Sequence, residues 1–401
     1  MKASDFTAPS AGQLVDIGQG FHAFVPSNLH RGHSVPARLT RLLGETRSKL
    51  GRLNEGVSSL QNPDLFLRAF QKREAVLSSR IEGTVTTLDD AFLSEAVGPE
   101  ERVQHATLEA QRQQEKRIDD AHEVRNYERA LRSGVDALQT GRSLNVSLLK
   151  ELHRQLLDGV RGEDKRPGEV REKQVFVANR TVHLPDDARF VPPPALQLPD
   201  CLDDFDRYLS EHESDEALIR IALAHYQFET IHPFSDGNGR TGRLLIALQM
   251  VSERVLDRPV LYVSPSLERQ RQAYYDGLLR VSQRATYLEW AEFFVRAVAS
   301  SADETLQRLG QLRDLFESFT ARLKDKQTQR PLQLAKQLLA MPYVTVPMVK
   351  RALDWPTGTA QNTIATLVEE GILSESTRIS LGKGRPTTIY RCSEVLSIVR
   401  E

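Results

Sequence analysis

Between positions 232 and 243 the chain reads His232-Pro233-Phe234-Ser235-Asp236-Gly237-Asn238-Gly239-Arg240-Thr241-Gly242-Arg243. Each polar type in this run suits one part of nucleotide phosphate chemistry. His232 titrates near neutral pH and can serve as a general base. Asp236 is a hard oxygen ligand suited to Mg2+ and also fits a helix N-cap, two compatible roles. The small residues let backbone N–H groups face an anion at a helix N-terminus. Arg240 and Arg243 lie three residues apart, so both project from one side of a helix toward phosphate oxygens. Taken singly, His232 could be a satisfied core histidine and the arginines surface ion-pair partners. The density of the run argues against that.

Gly237-Asn238-Gly239-Arg240-Thr241-Gly242 also spells G-x-G-x-x-G, with Asp257 downstream. A dinucleotide fingerprint must follow a β-strand within a βαβ unit. Here the preceding segment, Ile219–Phe228, has helical spacing and no second βαβ unit is available.

The elements around the run are predominantly helical. Pro36–Leu53 reads as one helix after a Pro-, Gly- and Ser-punctuated start that predicts irregular structure over residues 1 to about 35. Asn62 as cap and Pro63 at the first position open a second. Its apolar stripe is Leu65, Phe66, Ala69, Phe70, Val76, Leu77 and Ile81, and it stops at Glu82-Gly83. Residues 99–123 are almost all polar and fit either a solvated helix or a connector. Leu148, Leu149, Leu152, Leu156 and Leu157 mark an amphipathic helix stopped at Gly159. Val175-Phe176-Val177 and Thr181-Val182-His183-Leu184 flank Ala178-Asn179-Arg180 as a short hairpin. Helical periodicity then runs from Leu202 to about Arg322 with one interruption, Ile231–Gly239.

The last 75 or so residues change character. Helices are expected at Pro331–Ala340, from Thr345, and at Thr359–Glu370, followed by strands at Ile372–Ser380 and Thr387–Arg391. Helix–turn–helix followed by a hairpin is a winged-helix pattern. Arg378, Lys383, Arg385 and Arg391 make the wing basic, which suits phosphate contact. The helix at 359–370 carries no Lys or Arg and ends in Glu369-Glu370, which suits protein docking. Both remain open on residues alone.

The run 232–243 resembles the signature of Fic-domain proteins, H-P-F-x-[DE]-G-N-G-R-x-x-R, at every defined position. Ser78-Ser79-Arg80-Ile81-Glu82-Gly83 resembles the family's inhibitory motif, [ST]-x-x-x-E-[GN], placed N-terminal to the core. Further similarities are His122–Tyr127, the helix with His153, Pro167-Gly168-Glu169-Val170-Arg171, and Phe190–Pro194. They span roughly residues 60–300. The resemblance implies a protein adenylyltransferase of the subclass with an N-terminal inhibitory helix and a C-terminal winged-helix domain. Such an enzyme transfers AMP from ATP to a Tyr, Thr or Ser hydroxyl and releases pyrophosphate.

By that resemblance His232 would deprotonate the acceptor and Asp236 would hold Mg2+ on the α- and β-phosphates. Gly237, Asn238, Gly239, Arg240, Thr241, Gly242 and Arg243 would bind nucleotide, with Arg240 and Arg243 on the β- and γ-phosphates. Tyr274 and Tyr275 would flank the adenine. Val175, Phe176 and Val177 would belong to a flap that aligns the target by strand addition. Glu82, with Ser78, would inhibit by competing for Arg243. Gly239 favours adenylyl transfer, because relatives that act as kinases carry Lys in that slot. Two other readings are a DNA-binding regulator with a nucleotide-sensing Fic domain, which the intact His232 disfavours, and an enzyme that removes AMP.

The composition is that of an ordinary globular chain: 401 residues, 40% hydrophobic, 27% charged, and a net charge of -1. It excludes collagen-like, wholly disordered and disulfide-framework classes. Cys201 and Cys392 are the two cysteines, so neither a disulfide framework nor a Cys-based zinc site is expected, and a reducing, cytoplasmic setting fits. No signal-peptide pattern occupies Met1–Gly20, and the most apolar run, Leu244–Val251, falls short of a membrane span.

The expected fold is mainly α, a Fic helical core with a small β-hairpin flap plus a C-terminal winged helix. The expected organisation is an N-terminal helical region over 1–115 with the inhibitory helix near 63–83, a Fic core over 116–300, a connecting helix over 301–330, and a winged-helix domain over 331–401. Expected partners are a target protein, the chain itself as acceptor, a second copy in a homodimer, and DNA if the wing binds it. No membrane partner is expected.

Overall fold

The computed structural model describes residues 1–29, 32–60, 62–97, 108–177, 188–211, 216–379 and 387–400. It opens with strands β1 (Gly12–Asp16) and β2 (His22–Pro26), then helices α1 (Ala37–Ser58), α2 (Pro63–Ile81), α3 (Leu88–Val97) and α4 (Leu108–Gln139). Helices α5 (Val146–Leu156), α6 (Leu198–Ser210), α7 (Ala217–Ile231) and α8 (Asn238–Ser252) follow. Next come α9 (Ser264–Arg269), α10 (Arg271–Arg284), α11 (Tyr287–Leu323) and α12 (Arg330–Leu338). The chain ends in β3 (Tyr343–Val344), α13 (Val346–Leu353), α14 (Thr357–Glu369), β4 (Ser374–Ile379), β5 (Thr387–Arg391) and α15 (Ser393–Arg400). Two compact units result: Met1–Asn54 with Arg125–Ala302, and Glu55–Val124 with Asp303–Glu401.

In the first unit, α7 and α8 are buried on nearly every side, so neither shows a polar stripe. They pack on each other, α6 covers α7, and α5 covers α8. Asn145 caps α5 by accepting from the Leu148 N–H at 2.9 Å, and Leu148, Leu149, Leu152 and Leu156 form its buried face. The Trp290 indole N–H donates to the Ala222 carbonyl at 2.7 Å and ties α11 to the middle of α7. Gly134 on α4 lets Leu248 approach to 2.8 Å of where a Cβ would stand.

The N-terminal residues are not irregular, as their composition predicts. Gly12–Asp16 and His22–Pro26 pair antiparallel in full register. The Asp16 carboxylate accepts from the Gly18 N–H at 2.7 Å, and Gly18 and Gly20 take left-handed φ values of 97° and 78° that make the tight connection. The Phe24 N–H donates to the Val191 carbonyl at 2.8 Å, so this hairpin supports the segment after residue 188. The expected hairpin at 175–184 falls largely on residues 178–187, outside the described residues. Val177 forms an antiparallel bridge with Phe190.

The helical periodicity expected from Leu202 to about Arg322, with its one interruption at 231–239, is broken more often than its apolar spacing reveals. Arg254 and Ala285 adopt left-handed φ values of 56° and 55°, and Glu211 leaves α6 in an extended conformation. The polar stretch 99–123 is helix from Leu108 onward.

In the second unit, Pro63 starts α2, but Asn62 makes no side-chain capping bond; its ψ of 76° departs from the extended backbone that lets a cap reach the first turn. At the other end Gly83 takes φ 95° and stops the helix as expected. Buried ion pairs join α2 to its neighbours: Lys72 to Glu95 on α3 at 3.2 Å, and Arg73 to Glu304 on α11 at 2.7 Å. Strands β3, β5 and β4 form an antiparallel sheet in that order. Neither β3 nor α15 is anticipated from sequence. The Tyr343 hydroxyl on β3 donates to Asp89 on α3 at 2.8 Å, and Arg400 on α15 pairs with the same carboxylate. Lys383 and Arg385 of the expected wing lie outside the described residues.

Candidate active site

The site is built on the turn between α7 and α8. His232 caps α7 with φ 51° and ψ 60°, a left-handed conformation that costs an L-residue roughly 1–2 kcal/mol. Its N–H still reaches the Phe228 carbonyl at 2.9 Å. Its ring Nδ1 lies 3.2 Å from the Glu229 carbonyl. A carbonyl only accepts, so Nδ1 carries the proton in the neutral ring and the lone pair sits on Nε2. The ring lines a cleft with Val177, Phe190, Tyr275 and Leu279.

Asn238 closes the turn. Its side-chain oxygen accepts from the Phe234 N–H at 2.9 Å and its amide donates to the Phe234 carbonyl at 2.8 Å. Gly237, at φ 75°, precedes α8; a Cβ there would stand 3.2 Å from His153 Nε2. The Asp236 carboxylate accepts from the Gly237 N–H at 2.6 Å and rests against Gly162, where a Cβ would stand 3.1 Å from its second oxygen. The Thr241 hydroxyl donates to the Gly237 carbonyl at 2.9 Å. The side chains of Asn238 and Thr241 thus hold the turn. The N–H groups of the first turn of α8 lack intrahelical acceptors, which makes this helix end favourable for negative charge.

Arg240 and Arg243, in the first two turns of α8, are each 1% exposed. Arg240 approaches Asp236 at 3.9 Å. The Arg243 charge, after burial itself, helps hold the His225 imidazole down at about 3. Neutral His225 donates from Nδ1 to the Gly242 carbonyl at 3.1 Å, so its Nε2 accepts from the Tyr274 hydroxyl at 2.9 Å. Gly242 brings α8 close to α7, because a Cβ would stand 2.5 Å from a Glu229 carboxylate oxygen.

Two further residues shape the turn and are missed as functional by sequence reasoning. His153 on α5 holds the Asp236 carbonyl and the Gly168 N–H, each at 2.8 Å, and stacks on Phe234 with centroids 3.8 Å apart. Arg171, 3% exposed, donates to the carbonyls of His232 at 2.8 Å and Pro193 at 2.6 Å. Both stand within segments that resemble the family's pattern, which was the available signal.

Residues 143–250 match the Fic/DOC family, and residues 40–136 match the Fic/DOC family N-terminal region. The two matches together span about half of the chain. The chain belongs to the Fic/DOC family. Among curated relatives, protein adenylyltransferase Fic of Drosophila ananassae is 31% identical over 193 residues, covering 48% of this chain and 34% of that protein. Its Drosophila melanogaster counterpart is 30% identical over the same length, covering 35% of that protein. The chain therefore spans about a third of the length of the curated relatives it matches. A Fic family protein from Desulfovibrio desulfuricans G20 superposes with TM-score 0.55 at 20% identity, over 91% of this chain and 98% of that one. Fic-1 from C. elegans gives TM-score 0.51 at 21% identity, over 69% and 74%. The mainly helical Fic fold is shared.

His232 lies at the end of α7 and Asp236 directly before α8, and Val177 and Tyr275 line the cleft beside His232. Val175 and Phe176 are half-buried; Phe176 packs against Ala23, Ala188 and Val191. Tyr274 is 1% exposed and spends its hydroxyl on His225, a place in the core, whereas its neighbour Tyr275 faces the cleft. Ser78 and Glu82 belong to the other unit: Ser78 is fully buried on α2, and Glu82 is its half-buried C-cap, with its N–H on the Ser79 carbonyl at 3.0 Å. No helix among the described residues is long and apolar enough to cross a membrane.

Proposed function

We propose that this Fic protein is a protein adenylyltransferase. The observation that carries the proposal is His232: its Nδ1 faces the Glu229 carbonyl, which leaves the lone pair of the neutral ring on Nε2, and the ring ends the helix before α8, whose first two turns carry two buried arginines. The acceptor hydroxyl oxygen attacks the α-phosphorus of ATP, the bond from that phosphorus to the α,β-bridging oxygen breaks, pyrophosphate leaves, and the hydroxyl proton passes to His232 Nε2. Main-chain N–H groups at Gly237, Asn238 and Gly239 stabilise the charge that gathers on the phosphoryl oxygens. Arg240 and Arg243 hold the outer phosphates, and Tyr275 rather than Tyr274 is the candidate against the adenine.

Asp236 suits Mg2+. It is a lone, half-exposed carboxylate, and Mg2+ in nucleotide sites takes one or two carboxylates with phosphate and water making up the rest. Among the described residues no group of three acidic, His or Cys side chains offers a cage. The ion would neutralise phosphate charge and orient the α-phosphate; Asp236 would hold it there.

Target protein hydroxyls, including those of the chain itself, would be presented by strand addition along Val175–Val177. Glu82 would restrain the reaction by competing for Arg243. The C-terminal elements make a winged helix in this scheme. The exposed face of α14 carries Gln361, Asn362, Ala365 and Glu369 and no basic residue, which favours a protein partner over DNA.

Incubation with α-labelled ATP and Mg2+ tests the proposal. Label on protein is expected. AMP released from pre-modified protein, without incorporation, replaces it with a removing enzyme; neither outcome leaves a nucleotide sensor.

A further inference from the structure

Arg171 is buried, yet every hydrogen bond described for it ends on a main-chain carbonyl. Nε donates to His232 at 2.8 Å, Nη1 to Lys173 at 3.1 Å, and Nη2 to Pro193 at 2.6 Å and to Ile231 at 3.4 Å. Its own N–H donates to the Pro233 carbonyl at 2.9 Å. Among the described residues no carboxylate pairs with it. Burial draws its pKa down to about 10, so the guanidinium stays charged at neutral pH.

The four carbonyls belong to two groups. Ile231 and His232 end α7 and carry the base. Lys173 and Pro193 flank the two backbone segments that meet at the Val177–Phe190 bridge, whose N–H groups cross at 2.9 and 3.1 Å. Gln174 reinforces the second group by donating to the Pro192 carbonyl at 2.9 Å. A left-handed non-glycine residue such as His232 persists only where its surroundings over-determine it. A planar fork of five N–H donors can grip carbonyls from both groups at once, which a lysine ammonium cannot do at the same geometry.

We infer that Arg171 is a positioning residue that sets the His232 base in register with the Val175–Val177 edge, where the acceptor chain would lie. This rests on the adenylyl-transfer reading for its catalytic consequence, and on geometry alone for the register. Nucleotide binding does not pass through Arg171. Acceptor alignment and proton transfer do, and a misplacement of about 1 Å between reacting groups can cost on the order of a hundredfold in rate.

The test uses the full chain with Arg171→Lys and Arg171→Gln beside the wild type. Peptide-resolved hydrogen exchange is read first, since it needs no activity. Faster exchange is expected in residues 173–177, 188–193 and 231–234 together, with α7 and α8 interiors unchanged. Unchanged exchange in either group overturns the inference, as does loosening spread through α7 and α8, which marks a merely structural role. Label incorporation from α-labelled ATP is then compared at saturating ATP. A loss of roughly tenfold or more is expected for Arg171→Gln and a smaller loss for Arg171→Lys. Affinity for a fluorescent ATP analogue should stay within about twofold at full stoichiometry. Binding stoichiometry that falls in step with the rate sinks the inference. Absence of label from both the wild type and Glu82→Gly sinks the adenylyl-transfer reading instead, and the exchange result still decides the register.

Discussion

His153 Nε2 lies 2.8 Å from the main-chain oxygen of Asp236, and its Nδ1 receives the Gly168 N–H at the same distance. The ring is therefore neutral, with its proton on Nε2, and burial holds its pKa down at about 4. One imidazole on α5 thus braces the α7–α8 turn, stacked on Phe234.

Replacing His153 with Phe keeps the stack and removes both bonds. The buried Gly168 N–H and Asp236 carbonyl would then lack partners, at a cost of about 1–3 kcal/mol each. A fall in the urea unfolding midpoint is expected, together with weaker Mg2+-dependent nucleotide binding as Asp236 loosens. An unchanged midpoint would mean that the two bonds contribute no net stability.

Folding stability should fall with acidification. His153 and His225 titrate at about 4 and about 3 in the folded chain, against about 6.5 when unfolded. Below pH 6.5 the unfolded chain takes up protons that the folded chain refuses, so the stability is complete above that pH and is lost as pH drops toward 4. For His153 alone the shift corresponds to roughly 3 kcal/mol. Denaturant midpoints measured from pH 8 to 4.5 should decline in that window, and His153→Phe should flatten the slope. A midpoint flat across the window would show that both rings are protonated in the fold.

His232→Ala should abolish transfer while leaving ATP affinity largely intact, because the base acts on the acceptor and not on the phosphates. A general base contributes typically ~10²–10⁴-fold. Retention of wild-type turnover would remove His232 from the mechanism.

Glu82→Gly should raise label incorporation, including self-modification. A charge-assisted hydrogen bond contributes about 1.5–3 kcal/mol, so if Glu82 competes for Arg243 as proposed, its loss should enlarge the competent population roughly ten- to a hundredfold. Combining it with His232→Ala should restore inactivity. Equal or lower incorporation in a folded Glu82→Gly protein means that Glu82 is not the brake.

The candidate site on the α7–α8 turn was legible because its residue types are contiguous: residues 232–243 carry histidine, carboxylate, glycines and arginines in one run. The braces were not. Arg171 meets His232 across 61 residues and His153 meets Asp236 across 83, and both end on main-chain carbonyls, which no residue type advertises. Tyr274 and Tyr275 are neighbours in sequence, but successive helical residues point about 100° apart, so one is core and the other faces the cleft. The β1–β2 hairpin hid behind its glycines, since Gly18 and Gly20 mark a turn as readily as an irregular tail. In the last helix Val395, Leu396 and Val399 have amphipathic spacing that an expected strand pair overshadowed.

The unit that carries α2 is closed by residues made much later. Asp89 waits for Tyr343 across 254 residues and for Arg400 across 311. At synthesis rates of roughly 5–20 residues per second, that interval is on the order of ten seconds or longer. Throughout it the apolar side chains of Phe66, Phe70 and Phe92, all buried in the finished fold, have no completed core to enter. The nascent chain exposes these side chains for that interval, so slowing translation should increase its loss to aggregation before α15 emerges.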